Sequence, residues 1–211
     1  MSDDVKLVRR RNDQTRVTRR RIINAAAELF IAGGYGTTTL EQIAERAGVA
    51  VQTVYFHFRN KRTVLKEAVD VAAVGDDEPV ALLDRPWLAK LRAEPDARRF
   101  VMIWVRNSRD IMLRIGPIMQ VVRDAAGADP DMAAQWATNQ EQRGVAMRVI
   151  AELLAERGAL KVGLPVDVAT DIAYALLSIE LYLLLTAERG WSAARWQRWV
   201  ADTLADALLR R

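Results

Sequence analysis

Few residues in this 211-residue chain can carry chemistry, and their scarcity is informative. His57 is the single histidine, and there is no cysteine. A nucleophile activated by an imidazole therefore has only one base available to it. That base lies in the run Val51-Gln52-Thr53-Val54-Tyr55-Phe56-His57-Phe58, so no Ser-His-Asp or Cys-His arrangement can be built, and no catalytic residue is assigned. The same counts exclude a His/Cys metal site, and no cofactor is expected. The acidic cluster Asp76, Asp77 and Glu78 reads as solvated loop carboxylates rather than a cation site, so no metal ligand is assigned. What the 51–58 run does offer is hydrogen bonding with almost no charge. Gln52, Thr53, Tyr55 and His57 share the side of a helix opposite Val54 and Phe58, and such a face suits base edges and phosphate oxygens.

Two short helices must position that face. The first starts after Thr38 or Thr39, with Thr38/Glu41 and Thr39/Gln42 both at capping-box spacing, and buries Leu40, Ile43, Ala44 and Ala47. Gly48 supplies the left-handed backbone that ends it, Val49 packs inward, and the second helix begins near Ala50. The pair is a helix-turn-helix. A helix over 16–32, with Ile22, Ile23, Ala26, Leu29 and Phe30 inward and Gly33-Gly34 at its end, supports the pair. Residues 1–62 hold 12 Lys and Arg against 6 Asp and Glu, whereas 63–211 hold 19 against 21. The first part therefore favours a polyanion partner, and the second does not. The expected division is a basic arm over 1–15, a helix-turn-helix domain over 16–62, and a larger domain over 63–211. The arm's Arg9, Arg10 and Arg11 either reach a groove or lie in a solvated tail. Arg19, Arg20 and Arg21 either meet phosphates or form the wet face of their helix.

The larger domain shows no strand signal, so the chain reads as all-α. After Lys61, Val64, Leu65, Ala68, Val69 and Ala72 form the inward stripe of a fourth helix, and residues 75–84 form a loop. Helices are expected from Pro86, from Pro95 to Ile115, over 118–126 after a break at Gly116-Pro117, over 130–157, over 165–189, and after Ser192. The 165–189 run is nearly all apolar, but Ser178 and Glu180 interrupt it, so a buried helix is expected rather than a membrane span. The charged N-terminus has no secretory pattern, and cysteine is absent, which agrees with a cytoplasmic location. Wide apolar faces on the last two helices suit an isologous homodimer. On the 130–157 helix, Gln140 and Arg143 interrupt an apolar stripe and need partners. Either they are satisfied internally, for instance by Glu180, or they line a cavity among Trp104, Met112, Met119, Trp136 and Tyr174.

The N-terminal residues resemble the DNA-binding domain of the tetracycline-repressor (TetR) family of bacterial transcriptional regulators. The motif positions are Gly34, Tyr35, Thr38, Thr39, Ile43, Ala44, Ala47, Gly48, Val49, Thr53, Tyr55, Phe58 and Lys61, in register over about a quarter of the chain. Two positions depart from the pattern: Ala50 replaces the usual helix-opening Ser or Thr, and Gln52 replaces a small residue. The resemblance implies an N-terminal three-helix DNA-binding domain and a C-terminal helical domain for ligand binding and dimerisation. It implies a double-stranded DNA operator, a largely apolar small-molecule effector, and a homodimer through the last two helices, with no membrane. Thr39, Val51, Gln52, Thr53, Tyr55, His57 and Lys61 are the expected DNA contacts. Trp104, Met112, Met119, Trp136, Gln140, Arg143 and Tyr174 are the expected effector contacts. The rival reading is an all-α small-molecule-binding protein or enzyme whose basic end merely solvates it.

Overall fold

The computed structural model describes residues 2–75 and 84–210, with side chains from residue 14 onward except Val74. The acidic cluster Asp76, Asp77 and Glu78, and most of the expected 75–84 loop, lie outside the described residues. Among the described residues every regular element is helical; the only β-type pairing is an isolated antiparallel bridge between Leu160 and Leu209. Ten α-helices follow one another among these residues: α1 (Ser2–Gly33), α2 (Leu40–Ala47), α3 (Val51–Phe58), α4 (Lys61–Val74), α5 (Pro86–Ala93), α6 (Ala97–Ala126), α7 (Pro130–Glu156), α8 (Val166–Leu176), α9 (Ile179–Leu183) and α10 (Ala193–Leu208). Their contacts divide the chain into two compact units, Met1–Ala72 with Pro117–Gln135, and Ala73–Gly116 with Trp136–Arg211.

In the first unit α1 buries Ile22, Ile23, Ala26 and Phe30 against α2, which returns Leu40, Ile43, Ala44 and Ala47. Val54 and Phe58 of α3 and Val64, Leu65, Ala68 and Val69 of α4 complete this core. Burying a ring such as Phe58 contributes about 1.5 to 3 kcal/mol. The backbone of 2–15 is helical and continues into α1, because nothing before Gly33 breaks a helix: there is neither Pro nor Gly in that stretch.

Two further elements differ from the sequence expectation. α6 runs unbroken through Gly116-Pro117. Gly116 is buried there, with Ile179, Tyr182 and Leu183 side chains 3.7 to 3.8 Å from where a Cβ would sit. Ile118, Met119 and Val122 beyond it are buried as well. Packing on both sides of the proline offsets the backbone hydrogen bond that it removes. The expected 165–189 helix is instead three pieces. Leu177 closes α8, Ser178 accepts a hydrogen bond from Leu181 N at 3.1 Å and so starts α9, and Leu184–Glu188 widens into a π-helical turn. Serine competes for backbone groups in this way, which is why it caps helices better than it continues them. Val166–Glu188, at mean hydropathy 1.7 over its most apolar window, is long and apolar enough to cross a membrane, but these interruptions divide it.

Candidate nucleic-acid interface

The turn between α2 and α3 is built as the residue types dictate. Thr39 Oγ1 accepts from Gln42 N at 3.2 Å while Gln42 Oε1 accepts from Thr39 N at 2.9 Å, so both arms of the capping box form. Thr38, buried, donates instead to Gly34 O at 2.9 Å and holds the approach to the helix. Gly48 ends α2 with φ 64° and ψ 43°, its N–H donating to Glu45 O and the Val49 N–H to Ala44 O, each at 3.0 Å. A Cβ on Gly48 would lie 2.8 Å from an Arg21 terminal nitrogen, which donates to Ala47 O at 2.6 Å.

α3 opens at Ala50 with no side-chain cap, as its residue type requires. Its Val54 and Phe58 are buried, Gln52 and Tyr55 are exposed, and Val51, Thr53 and His57 are half-buried. Five of the seven expected contacts thus come from one eight-residue helix, with Thr39 exposed at the start of its neighbour. Phe56 belongs with them, although the sequence reading passes over it. It is 81 % exposed and meets His57 edge-on, with ring centroids 5.3 Å apart. A signal for it exists: two residues from both Val54 and Phe58, it must point away from the stripe they define.

The end of α3 is strained. Arg59 has φ 61° and ψ −43°, and Asn60 N donates to Phe58 O at 2.6 Å across it, a γ-turn of the rare positive-φ kind. Asn60 Oδ1 then accepts from Thr63 N at 2.9 Å and opens α4. Arg19 of α1 reaches this corner. It pairs with Glu67 of α4, donates to His57 O at 3.4 Å, and stacks over the Phe58 ring at 4.8 Å. Burial holds the His57 imidazole below its usual pKa; the Arg19 charge adds to this and Glu67 opposes it. His57 is therefore neutral near pH 7, with one ring nitrogen to donate and one to accept.

Lys61, first residue of α4, turns its ammonium back on the α1–α2 connection. It donates to Tyr35 O at 2.6 Å, Thr38 O at 2.8 Å and Gly36 O at 3.4 Å, and lies 4.4 Å over the Tyr35 ring. Burial lowers its pKa, and Asp129 opposes the shift. Its N–H groups are thereby committed to carbonyls, and its charge stands behind the interface rather than at the tip of a free side chain. Arg46 pairs with Glu28 and Arg62 with Asp131. Arg20 and Arg59 are exposed and make no ion pair among the described residues.

The residues expected at the effector site fall in both units. Trp104 and Met112 are buried in the second unit, and Met119 is buried in the first. Trp136, Gln140, Arg143 and Tyr174 are half-buried in the second. The polar pair has internal partners. Arg143 Nε donates to Gln140 Oε1 at 3.0 Å, Arg143 also donates to Tyr174 O at 2.7 Å, and Gln140 Nε2 donates to Glu180 Oε1 at 3.2 Å. The guanidinium stacks 3.6 Å over the Tyr174 ring. The Trp104 indole N–H is fully buried with no hydrogen-bond partner among the described residues. An open cleft of about 530 Å³ in this unit is lined by other residues, among them Arg98, Arg157 and Arg210.

Comparison with known proteins agrees with this geometry. The sequence profile of bacterial regulatory proteins of the tetR family matches residues 22–68. The uncharacterized HTH-type transcriptional regulator TtgW of Pseudomonas putida is 36 % identical over 98 residues, which cover 43 % of this chain and 70 % of that protein. Three further regulators match over only 30 to 39 % of their own length. Among solved structures, NalD of Pseudomonas aeruginosa, the secondary repressor of the MexAB-OprM multidrug efflux pump, superposes with a TM-score of 0.71 at 22 % identity, covering 94 % of this chain and 98 % of NalD. A complex of SmeT with triclosan gives 0.69 at 20 % identity, covering 92 % of each chain.

Proposed function

This chain belongs to the tetR family of bacterial regulatory proteins, as a DNA-binding transcriptional regulator, and from that premise we propose how it works. It is a cytoplasmic repressor that holds a near-palindromic operator as a homodimer and releases it when a small molecule enters the larger domain, 63–211. The observation that carries this reading is α3: an eight-residue helix, fixed by a capped α2 and a left-handed Gly48, whose outward side is polar and aromatic. Gln52 reads a base, its amide matching adenine in the major groove, while Val51 and the Thr53 methyl meet thymine methyl groups. Tyr55, His57 and Thr39 bond phosphate oxygens and set the register. Lys61 adds charge beside the α4 N-terminus and holds the preceding connection in place.

The dimer is built on α8 to α10. Val168, Leu184 and Trp199 are large apolar side chains left exposed there, and a second copy would cover them. Two copies of α3 would then enter successive major grooves, about 34 to 36 Å apart. The effector is largely apolar and contacts the second unit's group of Trp104, Met112, Trp136, Gln140, Arg143 and Tyr174. The orphaned Trp104 N–H favours a molecule that also carries an acceptor oxygen. Triclosan bound to SmeT is a precedent in a protein of the same fold. Effector and operator oppose each other with one coupling energy, commonly about 1 to 3 kcal/mol.

The test is selection of a duplex from a randomised pool, followed by binding measured across a salt series. Affinity that falls steeply and linearly in log–log form is expected, since phosphate contacts release counterions. A monomer that selects no duplex at low ionic strength would refute the proposal.

A further inference from the structure

The basic surplus of residues 1–62 suggests a row of cations laid along phosphates, but the structure turns three of them inward. Arg21 ends at the carbonyl of Ala47, the last residue of α2. Lys61 ends at the carbonyls before α2. Arg19 ends at the His57 carbonyl, in the last turn of α3, with Glu67 of α4 holding its other side and the Phe58 ring beneath it. A cation at a helix C-terminus answers both the unpaired carbonyls and the helix dipole. Arg19 touches three helices at once, α1 by its backbone, α3 by hydrogen bond and α4 by ion pair, and it does so beside the strained γ-turn at Arg59.

We propose that Arg19 and Glu67 are positioning residues of the DNA interface: the guanidinium, steadied by the α4 carboxylate, caps the C-terminal end of α3 and fixes the pitch of that helix without touching the duplex. The proposal rests on the DNA-binding reading above. It assigns to an acidic residue, Glu67, a favourable part in gripping a polyanion, and this separates it from any account in charge alone. On charge alone, Arg19→Gln weakens binding and lowers the salt slope, while Glu67→Gln tightens binding. If the two side chains act as a clamp, both substitutions weaken binding, and the double variant is no weaker than either single one, because they break the same contact.

The experiment uses the full chain and the duplex that the wild-type protein selects from a randomised pool. Arg19→Gln and Glu67→Gln are each expected to lose about tenfold in affinity, the scale of one charge-assisted hydrogen bond. The slope of log K against log salt should stay at the wild-type value, whereas a lost phosphate contact lowers it by roughly 0.9 per subunit. Arg20→Gln, at the neighbouring exposed cation, gives the reference for such a loss. His57, the single histidine, supplies a readout independent of DNA, since its one imidazole signal in NMR reports the corner directly. Its titration midpoint should rise in Arg19→Gln and fall in Glu67→Gln, following the signs with which the two charges act on it. Tighter binding by Glu67→Gln, or a slope lowered in Arg19→Gln, overturns the clamp. A wild-type protein that selects no duplex defeats the DNA reading instead, and the His57 midpoints then still decide whether the contact exists.

Discussion

Replacing Gly48 with alanine tests the physics of the whole interface. At φ 64° and ψ 43° an L-residue pays roughly 1 to 2 kcal/mol for the left-handed conformation. The new methyl would also meet the Arg21 terminal nitrogen at 2.8 Å, and that side chain must swing away from Ala47 O. The lost hydrogen bond adds about 0.5 to 1.5 kcal/mol. Against this, alanine restricts the unfolded chain and returns about 0.4 to 1 kcal/mol. The balance is a net loss of about 0.5 to 3 kcal/mol. The assay must be chosen with care, because all six tryptophans lie in the second unit and their fluorescence is blind to the damage. Urea unfolding followed by far-ultraviolet circular dichroism reports the helices of both units, and the His57 NMR signal reports the first unit alone. The midpoint should fall at constant m-value. Gly48→Asn divides the two causes, since asparagine tolerates the left-handed region but still carries a Cβ. A Gly48→Ala protein as stable as wild type, with α3 still gripping DNA, would show that neither the backbone angle nor the Arg21 contact has the energetic weight given to it.

Three further outcomes are expected. Gln52→Ala should lose about 1 to 3 kcal/mol of discrimination at one base pair of each half-site, seen as a blurred position in a repeated selection, whereas Lys61→Ala should weaken binding to every sequence alike. Thr39→Ala removes one arm of the capping box and should cost about 1 kcal/mol in urea unfolding. Because burial lowers the folded-state pKa of His57, the unfolded chain binds the extra proton first. The first unit should therefore keep this contribution above the ordinary histidine range and lose stability as pH falls below it, and His57→Gln should flatten that slope.

The first unit was legible because its signals are local. Thr39 with Gln42, Gly48, and the apolar spacing in α1 to α4 each specify a structure within a turn or two of themselves. Elements decided by distant packing were not legible. Pro117 carries a strong local rule against helix, yet Gly116 packs against Tyr182 and Ile179, more than sixty positions later in the chain, and the helix continues. The apolar run after Pro165 hides the break at Ser178, since hydrophobicity on all sides erases the periodicity that would mark an end. Charge was readable as a total but not as a direction. Nothing in the triplet Arg19-Arg20-Arg21 says that two of its members bend back onto carbonyls while the middle one faces water. The need of Gln140 and Arg143 for partners was readable, but the choice between Glu180 and a ligand was not, because that choice depends on which helix lies opposite.

Phe56 leaves a mark on how operator affinity is partitioned. A ring 81 % open to water on the reading helix gains about 1.5 to 3 kcal/mol if a groove wall or sugar covers it, and that gain owes nothing to counterions. Extrapolating the binding line to molar salt, where ionic terms vanish, should therefore leave a residue of affinity, and trimming the ring to alanine should lower that intercept while leaving the gradient alone.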